Sequence, residues 1–322
     1  MKHRTLFVSL ALGTVLLSGC EKEITVDVPD TPERLVVEGT IEQGLPPFII
    51  LTRTQGYFEP TSFESLSNMF VRDAVVTVTS NGQTWTLPSL CSGSLTPEQI
   101  LAAAALTGLD PVLLSSGNIC IYTSLDPTHV GVIGNTYELR IEAEGKVLTS
   151  VTTIPNPVPL DSVWFKLAQQ RPDDDTLGLA WATLSDPDTM GNSYRWMARR
   201  ISHRPDGSVE DPTYISPLGS SYNDKYVNGL TFDFNFIRGR QFYSNQTEDG
   251  NEETGYYKVG DTIAVKFVSL GKKEYDFYTS YDDNVGSSGD LFGTPVNAKT
   301  NINGGLGIWA GWGAYLDTIV CQ

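Results

Sequence analysis

Residues 74–87 read AVVTVTSNGQTWTL, and this stretch decides the fold class. Val76 and Val78 alternate with threonine, which is the period of a half-buried strand. Asn81-Gly82 follows, a pair that favours a type I′ turn because both residues tolerate positive φ. The five residues after the turn supply a returning strand, so the stretch predicts an antiparallel hairpin.

Similar strand patterns recur along the rest of the chain. They lie at 34–41, 48–52, 118–124, 136–143, 146–153, 162–167, 177–183, 194–202, 230–236 and 262–269. Turns that contain glycine join several of them, such as Glu144-Gly145. This spacing of short strands predicts an all-β fold of antiparallel β-sandwich, immunoglobulin-like domains.

A proline-rich segment interrupts the strand pattern near the middle of the chain. Residues 155–159 read PNPVP, and alternating prolines favour polyproline II and exclude a central strand. We therefore predict an N-terminal sandwich at 34–154, a linker at 155–159 and a C-terminal sandwich at 160–322.

Two stretches have helical signals instead. Thr96-Pro97-Glu98 has the form of an N-cap, an N1 proline and a first-turn acid, and Asp110-Pro111 opens a second short helical turn. Both belong to a short helical insertion at 91–120 in the N-terminal sandwich. Residues 272–281 fit a strand or a helix; the tyrosines three residues apart favour a helix.

Three cysteines follow Cys20 in the chain. Cys91 and Cys120 bracket the helical insertion, so we predict that they form a disulfide that fastens its base. Cys321 is then left over, and a partner for it stays open.

The N-terminus has the form of an export signal. A short basic region precedes the apolar run 6–17, which is too short to span a membrane but suits a signal-peptide core. Residues 17–20, Leu-Ser-Gly-Cys, resemble a bacterial lipobox. This resemblance implies a signal peptide at 1–19, a lipid on Cys20 and a lipidated tether at 20–33, with membrane attachment through the lipid.

The charged residues indicate which partners and which location to expect. The chain carries a net charge of −16, which disfavours nucleic acid as a partner. The acid-containing stretch 21–23 resembles the surface-export signals of Bacteroidota lipoproteins. We therefore expect the cell-surface side of the outer membrane, with the periplasmic face as the alternative.

Catalytic and metal-binding patterns are weak. His129 and His203 have no neighbouring ligand at zinc spacing, and the Asp-rich turns at 173–175, 186–188 and 282–283 lack the spacing of an EF-hand. We predict no catalytic residues, no metal and no cofactor, and thus a protein that is not an enzyme. A Ser-His-Asp triad or a pair of acids assembled by the fold stays open.

Two groups of aromatic residues are candidates for partner or ligand contacts. The first lies in a loop without strand alternation and comprises Tyr57, Phe58, Phe63 and Phe70; a loop folded back over the sandwich is the alternative. The second is Trp309 and Trp312 in a glycine-rich tail. We expect these tryptophans to fill the core of the second sandwich, and a contact platform is the alternative.

Several motifs together resemble a Bacteroidota outer-membrane lipoprotein family of unassigned function. Residues 301–311 are similar to its C-terminal Asn-Ile, Gly-Gly and Gly-x-aromatic signature. Residues 186–187 and 192–196 look like its Asp-Pro turn and Asn-x-Tyr-Arg strand, and Cys20 with 35–39 fits its N-terminal part.

That resemblance implies a gene often encoded beside SusC-like TonB-dependent transporters. We therefore expect a binding or accessory subunit of such a nutrient uptake system, with the transporter or another outer-membrane protein as partner. The alternatives are a structural or assembly factor of the envelope and a secreted glycan or peptide hydrolase. The helical insertion is not a feature of the family, which leaves any shared ligand site in doubt.

Overall fold

A computed structural model describes residues 32–55, 67–107, 111–117, 119–171, 173–205, 207–240, 255–287 and 297–322. Glu33–Gln322 form one compact unit. The predicted signal peptide, Cys20 and nearly all of the tether lie outside the described residues. The all-β prediction is confirmed, since strands of several mainly antiparallel sheets dominate.

The strands and helices follow in chain order. The strands of the first half are β1 (Leu35–Glu42), β2 (Phe48–Arg53), β3 (Val75–Ser80), β4 (Gln83–Leu87), β5 (Ser89–Cys91), β6 (Cys120–Thr123), β7 (Thr136–Ala143) and β8 (Lys146–Thr153). Those of the second half are β9 (Ser162–Leu167), β10 (Leu177–Ser185), β11 (Ser193–Arg200), β12 (Ser221–Asn223), β13 (Thr231–Phe236), β14 (Tyr257–Lys258), β15 (Thr262–Ser269) and β16 (Leu306–Val320). The helices are α1 (Pro97–Thr107), α2 (Pro111–Gly117) and α3 (Lys272–Gly286).

The described strands form one long sheet and two short ones. The long sheet has the order β12-β11-β15-β16-β1-β2-β6-β5. The N-terminal short sheet has the order β4-β3-β7-β8, and the C-terminal short sheet joins β9, β10, β13 and β14. The predicted hairpin is confirmed: Ser80 pairs with Gln83, and Asn81 and Gly82 have φ of 50° and 76°.

Both short sheets have their own hydrophobic core against the long sheet. The N-terminal core joins residues such as Val37 and Ile41 of β1 to Leu139 and Ile141 of β7. The C-terminal core joins β11 and β15 to β10 and β13. Alternation sets the faces: in β7, every second residue from Tyr137 to Ala143 is buried and those between are exposed.

The two halves are not separate sandwiches, because one sheet runs through both. β16 pairs in parallel with β1 over seven positions, from Val36–Leu306 to Glu42–Trp312, and antiparallel with β15. The last strand of the chain thus joins the first strand to the C-terminal strands. The predicted division into 34–154 and 160–322 is corrected accordingly: the halves have two cores but share the long sheet.

The prolines at 155–159 belong to the packed body of the protein. Ile154 is buried in the N-terminal core and Leu160 in the C-terminal core. The backbone of 153–155 lies so close to β16 that a Cβ at Gly311 would overlap the Thr153 carbonyl and one at Gly313 the Pro155 carbonyl. The segment is therefore a fixed crossing between the cores instead of a free linker.

The helical predictions are confirmed. Thr96 caps α1 by a reciprocal pair of bonds, because Gln99 N donates to Thr96 Oγ1 at 3.3 Å and Thr96 N donates to Gln99 Oε1 at 2.9 Å. α2 begins at Pro111, and 272–281 belong to α3. The predicted disulfide between Cys91 and Cys120 is present and fastens the insertion to the paired strands β5 and β6.

Candidate functional site

A cavity of about 760 Å³ lies on the face of the long sheet that is turned away from the two cores. Its floor is formed mainly by alternate residues of the adjacent strands β11, β15, β16 and β1. α3 covers part of this floor because it packs against β11, β12 and β16. The α1–α2 insertion lines the far end. Small-molecule sites in proteins span about 300–1,000 Å³, so the volume suits one such ligand.

Strand alternation lets β1 serve the core and the cavity at once. Leu35, Val37 and Ile41 are buried in the N-terminal core. Glu38 and Glu42 point to the opposite face and line the cavity. The cavity therefore receives carboxylates from a strand whose other face is wholly apolar.

Two ion pairs are built into the floor. Lys266 Nζ on β15 donates to Glu42 Oε2 at 2.7 Å, reaching across β16. Arg195 Nη1 on β11 lies 3.5 Å from Asp282 Oδ2 of α3 and donates to Ser221 Oγ at 2.6 Å. Burial raises the pKa of Asp282, and the neighbouring Arg195 offsets part of that rise. Both cations are thus matched by a carboxylate.

Aromatic rings lie beside the cationic groups. The Arg195 guanidinium is 4.3 Å from the ring centre of Tyr278. Tyr214 lies between two cations, with the Arg199 guanidinium 5.0 Å and Lys266 Nζ 4.8 Å from its ring centre. Cation–π contacts of this kind hold flexible cationic side chains in defined positions. The cationic groups of this half of the cavity are therefore held in fixed positions by aromatic rings.

Arg199 differs from Arg195 and Lys266. No carboxylate of the described residues forms an ion pair with it. Its Nη1 donates to the Pro212 carbonyl at 2.9 Å, but its Nε–H is buried without an acceptor in the described part of the chain. Burial raises the pKa of Tyr214, and the Arg199 guanidinium offsets part of that rise by its charge and by a side-chain hydrogen bond. The phenol stays neutral, so it does not balance the charge of Arg199.

The segment 213–216, which carries Tyr214, is held against the outer edge of β11. Ala198 and Ile215 exchange two backbone hydrogen bonds of 3.0 Å. Ser216 Oγ donates to the Trp196 carbonyl at 3.1 Å. The wall beside Arg199 is consequently fixed by the backbone.

Glu38 lies near the middle of the floor and opposite Ile308 and Ile50 in the sheet register. Its side chain is accessible through the cavity, yet enough protein surrounds it that desolvation raises its pKa. Among the described residues no cation forms an ion pair with it. Glu38 is therefore an unmatched acid that separates the cationic half from the insertion.

The end of the cavity under the insertion is apolar. Its lining includes Leu90, Leu95, Ala103, Leu114, Ile119 and Ile121. Several of these side chains belong to one hydrophobic cluster between the insertion and the strands β2 and β6. The lining contributed by 90–125 contains no charged side chain within the described ranges. The cavity thus has one charged half and one apolar half.

The charge of the lining is opposite in sign to that of the protein. The lining includes four cationic side chains, Arg195, Arg199, Arg240 and Lys266, against the carboxylates Glu38 and Glu42. The chain as a whole carries a net charge of −16. A local positive excess in a strongly acidic protein favours a negatively charged group at this place.

The structure separates the two tail tryptophans. Trp312 lines the cavity and lies opposite Glu42 in the β1–β16 register. Trp309 is fully buried, and its Nε1 donates to the Tyr137 carbonyl at 3.1 Å. It fills the N-terminal core, so its predicted place in the second sandwich is corrected; the parallel pairing of β16 with β1 is the reason.

Of the four aromatic candidates in the loop, the structure describes one. Tyr57, Phe58 and Phe63 lie outside the described residues. Phe70 packs against the hydrophobic cluster under the insertion and bridges to Thr52. At Phe70, therefore, the chain is folded back onto the protein.

The remaining cysteine, histidine and aspartate candidates have structural contacts. Cys321 is a buried free thiol, and burial raises its pKa to about 12. His129 stacks on Trp85 at 4.8 Å. The Tyr194 hydroxyl donates to Asp186 Oδ1 at 2.5 Å. In the described residues no cluster of three or more His, Cys, Asp or Glu side chains is placed to hold a metal ion.

Most of the residues that line the cavity were not predicted from the sequence. Arg199 and Lys266 were not singled out. Tyr278 entered only through the tyrosine spacing that favours a helix, and Arg195 and Glu38 only as parts of the motifs 192–196 and 35–39. In the sequence these residues show only that polar and apolar positions alternate. Each lies on the polar side of a strand or helix, and a polar side is ordinarily expected to face solvent. That α3 and the insertion cover this side depends on the tertiary structure.

The fold and the cavity define the class of protein: an all-β protein whose long sheet supports two cores on one face and a ligand-sized cavity on the other. The chain belongs to the family described as a domain of unknown function (DUF4249), whose model matches residues 21–315. The expected membership in a family of unassigned function is thus confirmed. A search of curated proteins finds no match. Among the described helices, none is both long and apolar enough to cross a membrane.

Proposed function

We propose that this protein is a lipid-anchored binding protein of the outer membrane that holds a small molecule in the cavity of the long sheet. In this proposal it acts as the binding or accessory subunit of a SusC-like TonB-dependent uptake system. The lipid on Cys20 would keep the protein beside its transporter, and the cell surface is the proposed location.

The cavity is the observation that carries the proposal. It combines a ligand-sized volume with a few fixed charged groups and aromatic walls, which is how binding sites obtain both affinity and orientation. Strands of the long sheet hold the charged groups of the cavity in position, and this sheet is rigid because two cores pack on its other face. A preformed site needs little ordering when a ligand enters.

The sequence supports the proposed lipid anchor on Cys20 and the proposed location at the outer membrane. The apolar run 6–17 and the Leu-Ser-Gly-Cys motif ending at Cys20 resemble a lipoprotein signal. The association with a transporter is implied by the family resemblance.

The carboxylate spacing favours binding over glycoside hydrolysis. Glu38 and Glu42 are four residues apart on β1, which corresponds to about 13 Å along a strand. The two acids of a glycosidase lie about 5–9.5 Å apart. In addition, Glu42 is held in its ion pair with Lys266.

Blocking the cavity tests the binding role. The full-length mature protein, purified under mild conditions, is analysed by native mass spectrometry for small molecules that copurify. Ala102→Trp would place an indole into the cavity from α1, whereas Leu101→Trp changes the neighbouring residue, which is 60% exposed and does not line the cavity. We expect a copurified molecule in the wild type and in Leu101→Trp, but not in Ala102→Trp. Equal occupancy in all three proteins would place the ligand elsewhere and refute the cavity as the site.

A pull-down tests the accessory role separately. The tagged native protein is crosslinked on intact cells and recovered in mild detergent, and copurifying proteins are identified by mass spectrometry. A SusC-like transporter in near-equal amount is the expected result. Recovery of the lipoprotein alone after crosslinking would contradict a stable transporter complex and leave a free-standing binding protein.

A further inference from the structure

We infer that the ligand of this cavity is an amphipathic anion: one carboxylate, sulfate or phosphate head group bound at Arg199, and an apolar body directed towards the α1–α2 insertion. This inference rests on the proposed binding function and adds the chemical class of the ligand. Four features of the cavity carry it.

The first feature is a donor that has no acceptor. Arg199 Nε–H is buried, and no described group accepts its hydrogen bond. Buried donors are nearly always paired, so an unpaired one at the wall of a cavity indicates an acceptor supplied from outside. The guanidinium is already held by the Pro212 carbonyl and lies over Tyr214, so this N–H has a fixed direction.

The second feature is the balance of charge. Lys266 is matched by Glu42 and Arg195 by Asp282, while Arg199 has no carboxylate partner within the described ranges. Arg199 is partly buried, and an anionic ligand would supply the counterion that the described residues do not. Carboxylate, sulfate and phosphate oxygens all suit the planar donors of arginine.

The third feature is the distance between the two halves. From β11, which carries Arg199, to β6 under the insertion there are five strand-to-strand steps. At about 4.8 Å a step, this is roughly 24 Å across the sheet. Leu114, Ile119 and Ile121 line the far end. A ligand that reaches both ends has an apolar body of considerable length, such as an acyl or fused-ring skeleton.

The fourth feature is Glu38, which lies on β1 between the two halves. A second anionic group in the middle of the ligand would face this acid, and repulsion would weaken its binding. The floor therefore selects molecules whose negative charge is confined to one end. Trp312 and Tyr278 beside it offer aromatic surface to the body of the ligand.

Three probes with one shared chain test the inference by isothermal titration calorimetry on the full-length mature protein. They are decyl sulfate, decyltrimethylammonium and decyl maltoside, each below its micellar concentration. We expect decyl sulfate to bind at one site about tenfold or more tightly than the other two. Butyl sulfate, which has the same head group and a short tail, should bind more weakly than decyl sulfate.

Variants locate the head group. Arg199→Met should weaken decyl sulfate binding about tenfold, and Arg140→Met is the matched control because Arg140 is half-exposed on β7, where it pairs with Glu142. If Arg199→Met does not fold, Arg199→Lys keeps the charge without the Nε–H, and a loss of affinity in it supports the same assignment. Unchanged decyl sulfate binding in the variant that folds would overturn the assignment to Arg199.

The outcomes separate the inference from the proposed function. Equal or tighter binding of decyl maltoside or decyltrimethylammonium at the cavity, abolished by Ala102→Trp, would overturn the anionic class while the binding function stands. No binding of any probe, together with no copurified molecule in the native protein, would contradict the binding function itself.

Discussion

Replacing Trp309 by alanine tests the structure at the point where the tail and the N-terminal core meet. The indole is fully buried and packs against Gly39 of β1, where a Cβ would lie 2.8 Å from Trp309 Cε3. Its Nε1 donates to the Tyr137 carbonyl, and its backbone exchanges two hydrogen bonds with the side chain of Asn301. The residue thus joins β16, β1 and β7.

The expected loss is large relative to the stability of a protein. Trp→Ala changes in cores cost about 3–5 kcal/mol. The Tyr137 carbonyl would also lose its donor, and a buried acceptor left unpaired costs about 1–3 kcal/mol. Trp309→Phe weighs the second contribution more heavily, because it keeps an aromatic ring in the core while it removes the N–H together with part of the indole. We therefore expect a loss of about 4 kcal/mol or more for Trp309→Ala and about 1–3 kcal/mol for Trp309→Phe.

Urea unfolding followed by circular dichroism measures these changes. Trp164→Ala is the matched control, because Trp164 is half-buried and stacks on Trp181 with ring centres 6.3 Å apart, a pair worth about 0.5–1.5 kcal/mol. A loss in Trp309→Ala no larger than that of the control would refute the packing described for β16. A stable Trp309→Ala protein that only fails to bind ligand would instead support the contact-platform interpretation of the tail.

Four further predictions follow from other contacts. Replacing both Cys91 and Cys120 by serine should lower the free energy of unfolding by about 3.6 kcal/mol, since the bond joins residues separated by 29 positions; in urea unfolding, a loss below about 1 kcal/mol would argue against this value. Thr96→Ala should cost about 1 kcal/mol because the hydroxyl that caps α1 is removed, whereas Thr96→Ser, which keeps the capping hydroxyl, is the control, and an equal effect of both would exclude the cap as the cause. Gly39→Ala should cost about 1–3 kcal/mol by overpacking against Trp309, and a double-mutant cycle with Trp309→Phe should show a smaller cost; strict additivity would speak against the contact. Desolvation by the surrounding cavity walls raises the pKa of Glu38 above its ordinary value of 4.5. The folded state therefore binds this proton more tightly, and stability falls as the pH rises from that value through the folded pKa. Glu38→Gln should be more stable than the wild type at pH 7, the difference should vanish below about pH 4, and a less stable variant at pH 7 would contradict the desolvation of this acid in the cavity.

Local patterns in the sequence predicted the strands, the turns and the insertion. Residues 74–87 contain both the alternation and the Asn81-Gly82 turn, so their hairpin depends on little beyond themselves. The same holds for α1, whose cap lies within four residues, and for the Cys91–Cys120 pair, which lies close in sequence. These features follow from short-range chemistry that one sequence displays.

The pairing of β16 with β1 could not be predicted in this way. Alternation shows that a strand has a buried face, but it does not name the neighbouring strand. The prolines at 155–159 therefore indicated a boundary, although their backbone packs against Gly311 and Gly313. The long sheet became visible only in three dimensions.

The cavity was missed for a related reason. Arg195 and Arg199 alternate with buried residues on β11, and such a pattern is the same whether the polar face meets solvent or a cavity. Only the placement of α3 and of the insertion distinguishes the two. By contrast, Trp312 was recognised as a candidate because its type and its glycine-rich surroundings are unusual.

The central place of β16 has a consequence for how the chain folds. Gln43 and Ala314, 271 residues apart, exchange two hydrogen bonds, so the middle of the long sheet is closed by a segment that is synthesised long after β1. Until then β1 has an open edge, and open edges invite pairing with other chains. Contacts of such long range also make folding slow. The nascent N-terminal half thus has a period of vulnerability to aggregation that ends only when β16 has been synthesised, and a chain truncated before residue 306 would remain in it.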